Sequence, residues 1–258
     1  MRVRALRHVL AATAVAATAV AGVLTATPTG AAAVGPAAAH RALPTGGDRT
    51  FTSTAGGWVG YVVSGYGPYT SVSASWTQPA VSCAGATEDT YSSFWVGLDG
   101  SLSDRNTIEQ TGTEADCING SPFYGAWYES YPNPPIFLSG PVVMPGDLFY
   151  AKVTANGSGS FTTFLEDKTQ GDWTYSVTFK LGKAQRASAE VVVETPMVNG
   201  ETKPLSDFGT VNFSGATANG TSFASLTGLQ AYQLPGVATI CPMSASGDFS
   251  IHIGTGAC

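Results

Sequence analysis

From Phe51 onward the chain alternates apolar and polar residues in short stretches that end at Gly, Pro or Asn. Side chains of a β-strand point alternately to opposite faces, so this alternation is typical of half-buried strands joined by turns. Charged residues make up only 12% of the chain, too few to cover many exposed helix faces. The pattern predicts an all-β fold, an antiparallel β-sandwich. The predicted strands cover 70–77, 91–98, 123–131, 148–154, 161–166, 173–179, 188–194 and 209–213.

The N-terminal segment has the features of a secretory signal peptide. Arginines at positions 2, 4 and 7 precede an apolar, Ala- and Thr-rich stretch, which ends in small residues at 31–33. This composition favours a signal over a membrane anchor, and no later stretch is long enough to span a bilayer. We therefore expect a secreted, extracellular protein without a membrane partner once the signal is removed. The predicted divisions are a signal peptide (1–33), a disordered lead-in or short pro-segment (34–50) and one β-sandwich domain (51–258).

The chain contains four cysteines. A secreted protein folds in an oxidising environment, so these cysteines are predicted to form two disulfides, for which three connectivities exist. The sequence spacing favours Cys83–Cys117 and Cys241–Cys258. A zinc site is the alternative, but the chain has no Cys-x-x-Cys pair. We therefore expect no metal site.

Several classes of function conflict with the residue inventory. A formal net charge of −6 leaves no basic surface for nucleic acid. The chain contains no His-Glu-x-x-His motif, no Gly-x-Ser-x-Gly motif and no phosphate-binding loop. A Ser-His-Asp triad would require His252, for which a structural role in an alternating stretch is favoured. If the protein is an enzyme, carboxylates and amides must carry its chemistry, without a cofactor.

Strand parity places aromatic and acidic side chains together on one side of the predicted sheet. The apolar side chains of the same strands point the opposite way, into the predicted core. A face that carries aromatic rings and acids suits an extended polymer, either a peptide or a sugar chain. The residues that share this face are Trp95 and Asp99, Gln110, Trp127, Glu129 and Tyr131, and Glu190 and Glu194.

Glu190 and Glu194 share a face of one predicted strand. At ~3.3 Å per residue their Cα atoms lie roughly 13 Å apart. The two carboxyl groups of a glycosidase lie about 5–5.5 Å or about 6.5–9.5 Å apart, depending on the stereochemical outcome. These two acids therefore cannot be catalytic partners of each other. A catalytic pair must combine one of them with a group on a neighbouring strand.

Five sequence blocks, read in order, resemble the glutamic peptidases, or eqolisins. The resemblance implies a sandwich of two long, curved antiparallel sheets, of the concanavalin or jelly-roll kind. It also implies a secreted acid endopeptidase that acts on polypeptides through a Gln/Glu dyad, without metal or cofactor. We expect a monomer, and the Ala-rich, Lys-poor composition favours a bacterial member. The blocks are WVGLDG (95–100), EQTG (109–112), AWYESYP (126–132), AEVVVE (189–194) and FGTVNF (208–213).

The resemblance also implies roles for individual residues. Gln110 and Glu194 match the catalytic glutamine and glutamate, and Asp99 and Glu129 match acids that support the site. Trp58 and Trp95 match aromatic residues of the substrate cleft. The predicted groove face adds three further candidates for substrate binding, Trp127, Tyr131 and Glu190.

Such a dyad has the groups that amide hydrolysis requires. Glu194 can take a proton from water and return it to the leaving nitrogen, and the uncharged Gln110 can bind the water and the oxyanion. Two alternatives stay open at this stage. One is a carbohydrate-binding sandwich without catalysis, and the other is a glycoside hydrolase that uses Glu129 and Glu194. Gln110 separates these classes, because only the peptidase requires it for chemistry.

Overall fold

The computed structural model describes residues 49–50, 57–101, 106–169 and 173–258. They belong to one compact unit, residues 46–258. The predicted signal peptide and most of the predicted lead-in lie outside the described residues. The last two residues of that lead-in, Arg49 and Thr50, form a short strand that pairs with Met197 and Val198.

The alternating segments form strands close to the predicted positions. Some strands extend beyond their prediction. The strand that begins at Thr210 continues past a bulge to Ala218, because Gly215 takes a left-handed φ of 62° there. The EQTG block, which is not among the predicted strands, lies in a strand that runs as far as Ile118. The strands are β1 (Arg49–Thr50), β2 (Trp58–Ser64), β3 (Ser71–Thr77), β4 (Ser93–Asp99), β5 (Ile108–Ile118), β6 (Ser121–Tyr131), β7 (Ile136–Phe137), β8 (Leu148–Gly157), β9 (Ser160–Asp167), β10 (Thr174–Lys180), β11 (Ser188–Glu194), β12 (Met197–Val198), β13 (Glu201–Thr202), β14 (Thr210–Ala218), β15 (Thr221–Ser222), β16 (Leu229–Tyr232), β17 (Ala238–Ile240) and β18 (Phe249–Ile253), with a 3-10 turn at Phe223–Ser225.

These strands form two large antiparallel sheets and one small sheet. The seven-stranded sheet has the order β16-β2-β11-β4-β5-β6-β7. The eight-stranded sheet has the order β10-β9-β8-β3-β14-β18-β17, and β15 pairs with β14. The strands β1, β12 and β13 form the small sheet. The predicted antiparallel β-sandwich is confirmed.

The main hydrophobic core lies between the two large sheets. Phe94, Val96 and Leu98 of β4 point into it from the seven-stranded sheet, as their parity predicts. Val72 and Trp76 of β3 meet them from the eight-stranded sheet. Burying each such side chain stabilises the fold by about 1.5–3 kcal/mol. This packing uses one face of each strand and leaves the opposite face of the seven-stranded sheet for other contacts.

Trp76, Gln78 and Thr113 form a buried polar cluster between the sheets, here called the interior polar cluster. The indole N–H of Trp76 donates to the Thr113 hydroxyl at 3.0 Å, and this hydroxyl donates to the Gln78 amide oxygen at 2.6 Å. The Gln78 amide nitrogen donates to the carbonyl oxygen of Glu114 at 3.1 Å. These bonds join β3 and the residue after it to β5 of the other sheet.

Two disulfides tie loops to the sheets. Cys83 is bonded to Cys117 of β5, with a Cα–Cα distance of 5.5 Å. Cys241 is bonded to Cys258, with a Cα–Cα distance of 5.4 Å. These are the two pairs that the sequence spacing favours, and they occupy all four cysteines. Across the described ranges, no helix is long and apolar enough to cross a membrane.

Candidate active site

The outer face of the seven-stranded sheet, here called the site face, carries a second buried cluster. Trp58, Trp95 and Trp127 form its aromatic part, as strand parity predicts for Trp95 and Trp127. The rings of Trp58 and Trp95 meet edge to face, with centroids 5.0 Å apart. The other members are Val62, Ile108 and Val192, with the partly buried Tyr131, Phe137 and Tyr232 packed against them.

Strand register brings distant residues into one row across the site face. Glu190 of β11 lies opposite Gly97 of β4, and Gly97 lies opposite Gln110 of β5. Gln110 in turn lies opposite Glu129 of β6. Glu194 lies four residues after Glu190 on β11. Its backbone is therefore outside this row, and its side chain is the part that can approach the row. Three of the predicted site residues, from three separate sequence blocks, therefore share one row.

Glu129 is bonded directly to the predicted catalytic glutamine. The amide nitrogen of Gln110 donates a hydrogen bond to Oε2 of Glu129. Burial raises the pKa of Glu129 well above its usual range, and the charge of Glu194 raises it further. The bond from Gln110 lowers this pKa and opposes part of the shift. Gln110, Glu129 and Glu194 thus form one electrostatically coupled group.

Glu194 is 2% exposed. Its burial raises the pKa of its carboxyl well above the usual range. The indole N–H groups of Trp58 and Trp95 approach the carboxyl and lower this pKa, although neither makes a hydrogen bond of normal geometry. Both indoles therefore favour the ionised form of Glu194 against the cost of burial.

Several polar atoms of this group keep unused hydrogen-bonding capacity. Within the described ranges, no hydrogen bond reaches Oε1 of Gln110, Oε1 of Glu129 or Oε2 of Glu194. The indole nitrogens of Trp58 and Trp95 share this property. Buried polar groups are nearly always paired, and each exception calls for an explanation. Three acceptors and two donors on one face form a suitable site for a polar ligand.

Glycines of two sequence blocks make room for the Trp95 side chain. A Cβ atom on Gly97 would lie 2.6 Å from Cζ3 of the Trp95 ring. A Cβ atom on Gly112 would lie 2.6 Å from the Cβ of Trp95 and 2.1 Å from the carbonyl oxygen of Phe94. The glycines in WVGLDG and EQTG thus allow the Trp95 side chain to pack closely against the sheet.

Asp99, predicted to support the site, holds a loop beside it through backbone hydrogen bonds. Its carboxylate accepts backbone N–H bonds from Gln185, Arg186 and Ala187, at 3.0, 2.8 and 2.6 Å. Asp99 itself has a left-handed φ of 64°. It therefore fixes the loop that leads into β11, the strand that carries Glu190 and Glu194.

Two aromatic residues of the site face were missed by the sequence analysis. Tyr232 of β16 lies beside Trp58, with ring centroids 6.0 Å apart, and Phe137 of β7 packs against the same cluster. Both lie on edge strands that belong to no recognised block. The apolar–polar alternation of Leu229–Tyr232 is the only local signal, and it does not tell which strand β16 joins.

His252 lies away from these residues, on β18 of the eight-stranded sheet. Its ring nitrogens contact the hydroxyl groups of Thr210 and Ser250, at 2.7 and 3.2 Å. This agrees with the structural role favoured from its position in the sequence. Among the residues described, no group of three or more His, Cys, Asp or Glu side chains is arranged to hold a metal ion.

A buried Gln–Glu pair with a second glutamate, set on the face of a β-sandwich, is the arrangement expected of a glutamic-type peptidase. The chain matches the Peptidase A4 family over residues 56–252, and it belongs to that family. The match extends beyond residue 213, where the sequence blocks end. A search of curated proteins found no match.

Solved structures of this family have the same fold. Scytalido-glutamic peptidase, crystallised with a transition-state analogue inhibitor, is 27% identical, with a TM-score of 0.66 over 77% of this chain and 98% of that one. Aspergilloglutamic peptidase from Aspergillus niger is 25% identical, with a TM-score of 0.55 over 64% of this chain and 99% of that one. The protein is therefore a glutamic-type endopeptidase, an acid protease.

Proposed function

We propose that Gln110 and Glu194 form the dyad with which this endopeptidase hydrolyses polypeptides. The observation that carries the proposal is the convergence of these side chains with Glu129 on the site face. Gln110 is held by its bond to Glu129 and keeps its amide oxygen and a second N–H for other partners. The oxygen can accept from the attacking water, and the N–H can donate to the oxyanion.

Glu194 transfers the proton in this mechanism. As a carboxylate it takes a proton from the water that attacks the peptide carbonyl, and it then gives this proton to the leaving nitrogen. The two indole N–H groups favour its ionised form before the attack. Burial raises its pKa and so favours the protonated form that donates to the leaving nitrogen, and one residue performs both halves of the transfer.

Glu129 positions Gln110 and limits the total charge. The charge of Glu194 raises the pKa of Glu129, so the pair retains one proton to higher pH than two isolated carboxyls. A neutral Gln110 beside this pair avoids a third like charge. The arrangement suits acid conditions, in which Glu129 stays protonated.

The site of action follows from the proposed leader and the two disulfides. We infer that the protein is secreted and acts outside the cell as a monomer. Its substrates are polypeptides that enter the site face in an extended form. Tyr131, which is only partly buried, packs against the fully buried Trp58, Trp95 and Trp127 and offers an apolar contact for substrate side chains.

Replacement of the proton-transfer group tests the mechanism most directly. Glu194→Gln keeps the size of the side chain but cannot accept a proton. General acid–base catalysis contributes about 10²–10⁴-fold, and here one residue supplies both steps. We expect kcat on denatured casein or haemoglobin to fall by at least ~10²-fold across pH 2–7, with a metal chelator present throughout.

The variant is compared with wild type only after circular dichroism shows that it is folded. Glu166→Gln is a suitable matched control, since Glu166 lies on β9 of the other sheet and its substitution should leave kcat unchanged. Near-normal peptidase activity of folded Glu194→Gln would contradict the mechanism. Inhibition of the wild-type enzyme by the chelator would contradict a reaction without metal.

A further inference from the structure

Glu190 lies on the site face but takes no part in the chemistry proposed above. Its side chain is fully buried, and neither carboxyl oxygen has a hydrogen-bond partner among the described residues. Burial of an unpaired polar group costs free energy, and burial of an unpaired charge costs far more. An apolar residue would avoid this cost, so the presence of an acid here requires an explanation.

The row across the sheet places Glu190 next to the Trp95 ring. Glu190 and Gln110 flank Gly97 on either side, because β11 and β5 both pair with β4. The six-membered ring of Trp95 covers Gly97, where a Cβ atom would approach Cζ3 to 2.6 Å and Cε3 to 3.2 Å. The edge of the indole therefore lies in the gap between the Glu190 and Gln110 side chains.

The other edge of the same indole faces the proposed proton-transfer group. The N–H of Trp95 approaches the Glu194 carboxyl and lowers its pKa. The ring is rigid, so a rotation at its six-membered edge also moves the N–H. The Trp95 side chain thus connects the row of Glu190 and Gln110 with Glu194, four residues along β11.

The surroundings of Glu190 favour a neutral side chain. Burial is the main cause of its raised pKa, and the charges of Asp99 on β4 and Glu109 on β5 raise it further. The hydroxyl of Ser188, on the same strand, lowers this pKa in part, without a hydrogen bond of normal geometry. The buried hydroxyl of Tyr69, before β3, also interacts with Glu190. On β2 the directly opposite residue is apolar, Val62.

We propose that Glu190 is a positioning residue, a neutral side chain that holds the Trp95 ring against Gly97 and so keeps the indole N–H directed at Glu194. This proposal rests on the proposed role of Glu194 in proton transfer. It makes Glu190 act through Trp95 and not by contact with the reacting atoms. Gly97 is required for the same arrangement, because a larger residue at this position would displace the Trp95 ring.

The proposal predicts a specific change in the pH profile. Loss of the correctly directed N–H removes an interaction that favours the ionised form of Glu194, so the pKa of Glu194 rises. The acid limb of kcat/KM reports this ionisation in the free enzyme. The limb should therefore move to higher pH when either Glu190 or Trp95 is altered, while a purely structural defect would lower the rate at every pH.

The experiment compares Glu190→Ala, Trp95→Phe and the double variant with wild type, all folded by circular dichroism. Each single variant should raise the midpoint of the acid limb by about 0.5–1 pH unit, which is the size of one lost hydrogen-bond-type interaction. The double variant should shift it no further than Trp95→Phe alone, because both changes act through one indole. Glu190→Gln retains length and neutrality and should shift it by less than ~0.3 unit.

Additive shifts in the double variant would overturn the proposal, as would a shift by Glu190→Ala without one by Trp95→Phe. A large loss of activity in Glu190→Gln would also overturn it, because it would mean that the carboxylate form is needed. Should Glu190→Ala fail to fold, Glu190→Val takes its place, since it suits a strand but is too short to reach the ring. Failure of the dyad itself would appear separately, as activity in Glu194→Gln.

Discussion

The protein contains two buried clusters of similar composition and opposite behaviour. The interior polar cluster and the site face each combine tryptophan with a buried glutamine. In the interior cluster the polar atoms of Trp76, Gln78 and Thr113 form a continuous chain of hydrogen bonds. On the site face, Gln110 and the Trp95 indole keep unpaired atoms although both residues are fully buried.

This difference separates a structural glutamine from the proposed catalytic one. A satisfied buried amide stabilises the packing of two sheets and has no capacity left for a ligand. An amide with a free oxygen destabilises the folded state, and this cost is understandable where a substrate or water completes its bonds. Residue type and burial are the same in both places. Only the count of hydrogen-bond partners tells them apart.

Exchange of the two glutamines for alanine provides the strongest test of this comparison. Gln110→Ala should lower kcat/KM by about 10²–10³-fold, since it removes the amide that binds the water and the oxyanion. Gln78→Ala should leave kcat/KM unchanged but lower the free energy of unfolding by about 1–3 kcal/mol, since the Thr113 hydroxyl and the Glu114 carbonyl lose partners. Steady-state kinetics and urea unfolding measure both effects.

A loss of activity in folded Gln78→Ala as large as that in Gln110→Ala would break the distinction. The same conclusion would follow if Gln110→Ala were the more destabilised of the two variants while retaining its activity.

The pH dependence of stability sharpens the comparison, because the site face carries buried acids and the interior polar cluster has no titrating side chain. Burial raises the pKa of Glu129, Glu190 and Glu194 above the usual carboxyl value of 4.5. Between 4.5 and these raised values the folded state holds protons that the unfolded chain has lost. The free energy of unfolding should therefore decrease as the pH rises through this window. Below the window these acids are protonated in both the folded and the unfolded state, so they do not change the free energy of unfolding with pH.

Chemical unfolding at a series of pH values measures this slope. Each acid contributes about 1.4 kcal/mol per pH unit while only the folded state retains its proton. Glu190→Gln should remove one such contribution and make the slope shallower. Stability that increases from pH 4.5 toward neutrality, with the same slope in wild type and variant, would contradict the burial of these acids.

Substitution of Asp99 should have the smallest effect on activity. This residue is intermediate between the two clusters, because it belongs to a site-face strand but its oxygens are bonded. It lies at the end of a site-face strand, yet its oxygens are satisfied by backbone N–H groups. Asp99→Asn replaces one acceptor by a donor and should lower the free energy of unfolding by about 2 kcal/mol. The effect on kcat should be less than tenfold, because the change reaches the site only through the start of β11. A large loss of kcat with unchanged thermal stability would place Asp99 in the chemistry instead.

Local periodicity was enough to predict the fold class and much of the site face. Alternation in β4 and β11 correctly separates the core residues Phe94 and Val191 from Trp95 and Glu194 on the opposite face. Side-chain direction in a strand depends only on position along that strand, so a local pattern contains this information. The disulfide pairs follow in the same way from short sequence separations.

Strand order was not accessible from the same pattern. Nothing local indicates that β11 inserts between β2 and β4, which brings Glu190 into the row of Gln110. Nor does it place β16 beside β2 and thus Tyr232 beside Trp58. The bonds of Asp99 depend on a loop that is remote in sequence. Each miss concerns a pairing between distant segments, which depends on the whole chain.

The position of β11 has a further consequence for the way the enzyme folds. Glu194 pairs with Trp58, from which it is separated by more than half of the chain. Contacts between such distant segments form late and slowly, because a long loop must close before they give any stabilisation. An incomplete chain that ends before β11 would hold Gln110 and Glu129 but not Glu194, the proposed proton-transfer group. The proposed dyad is therefore incomplete until the chain has been made as far as residue 194 of 258 and β11 has paired with β2 and β4.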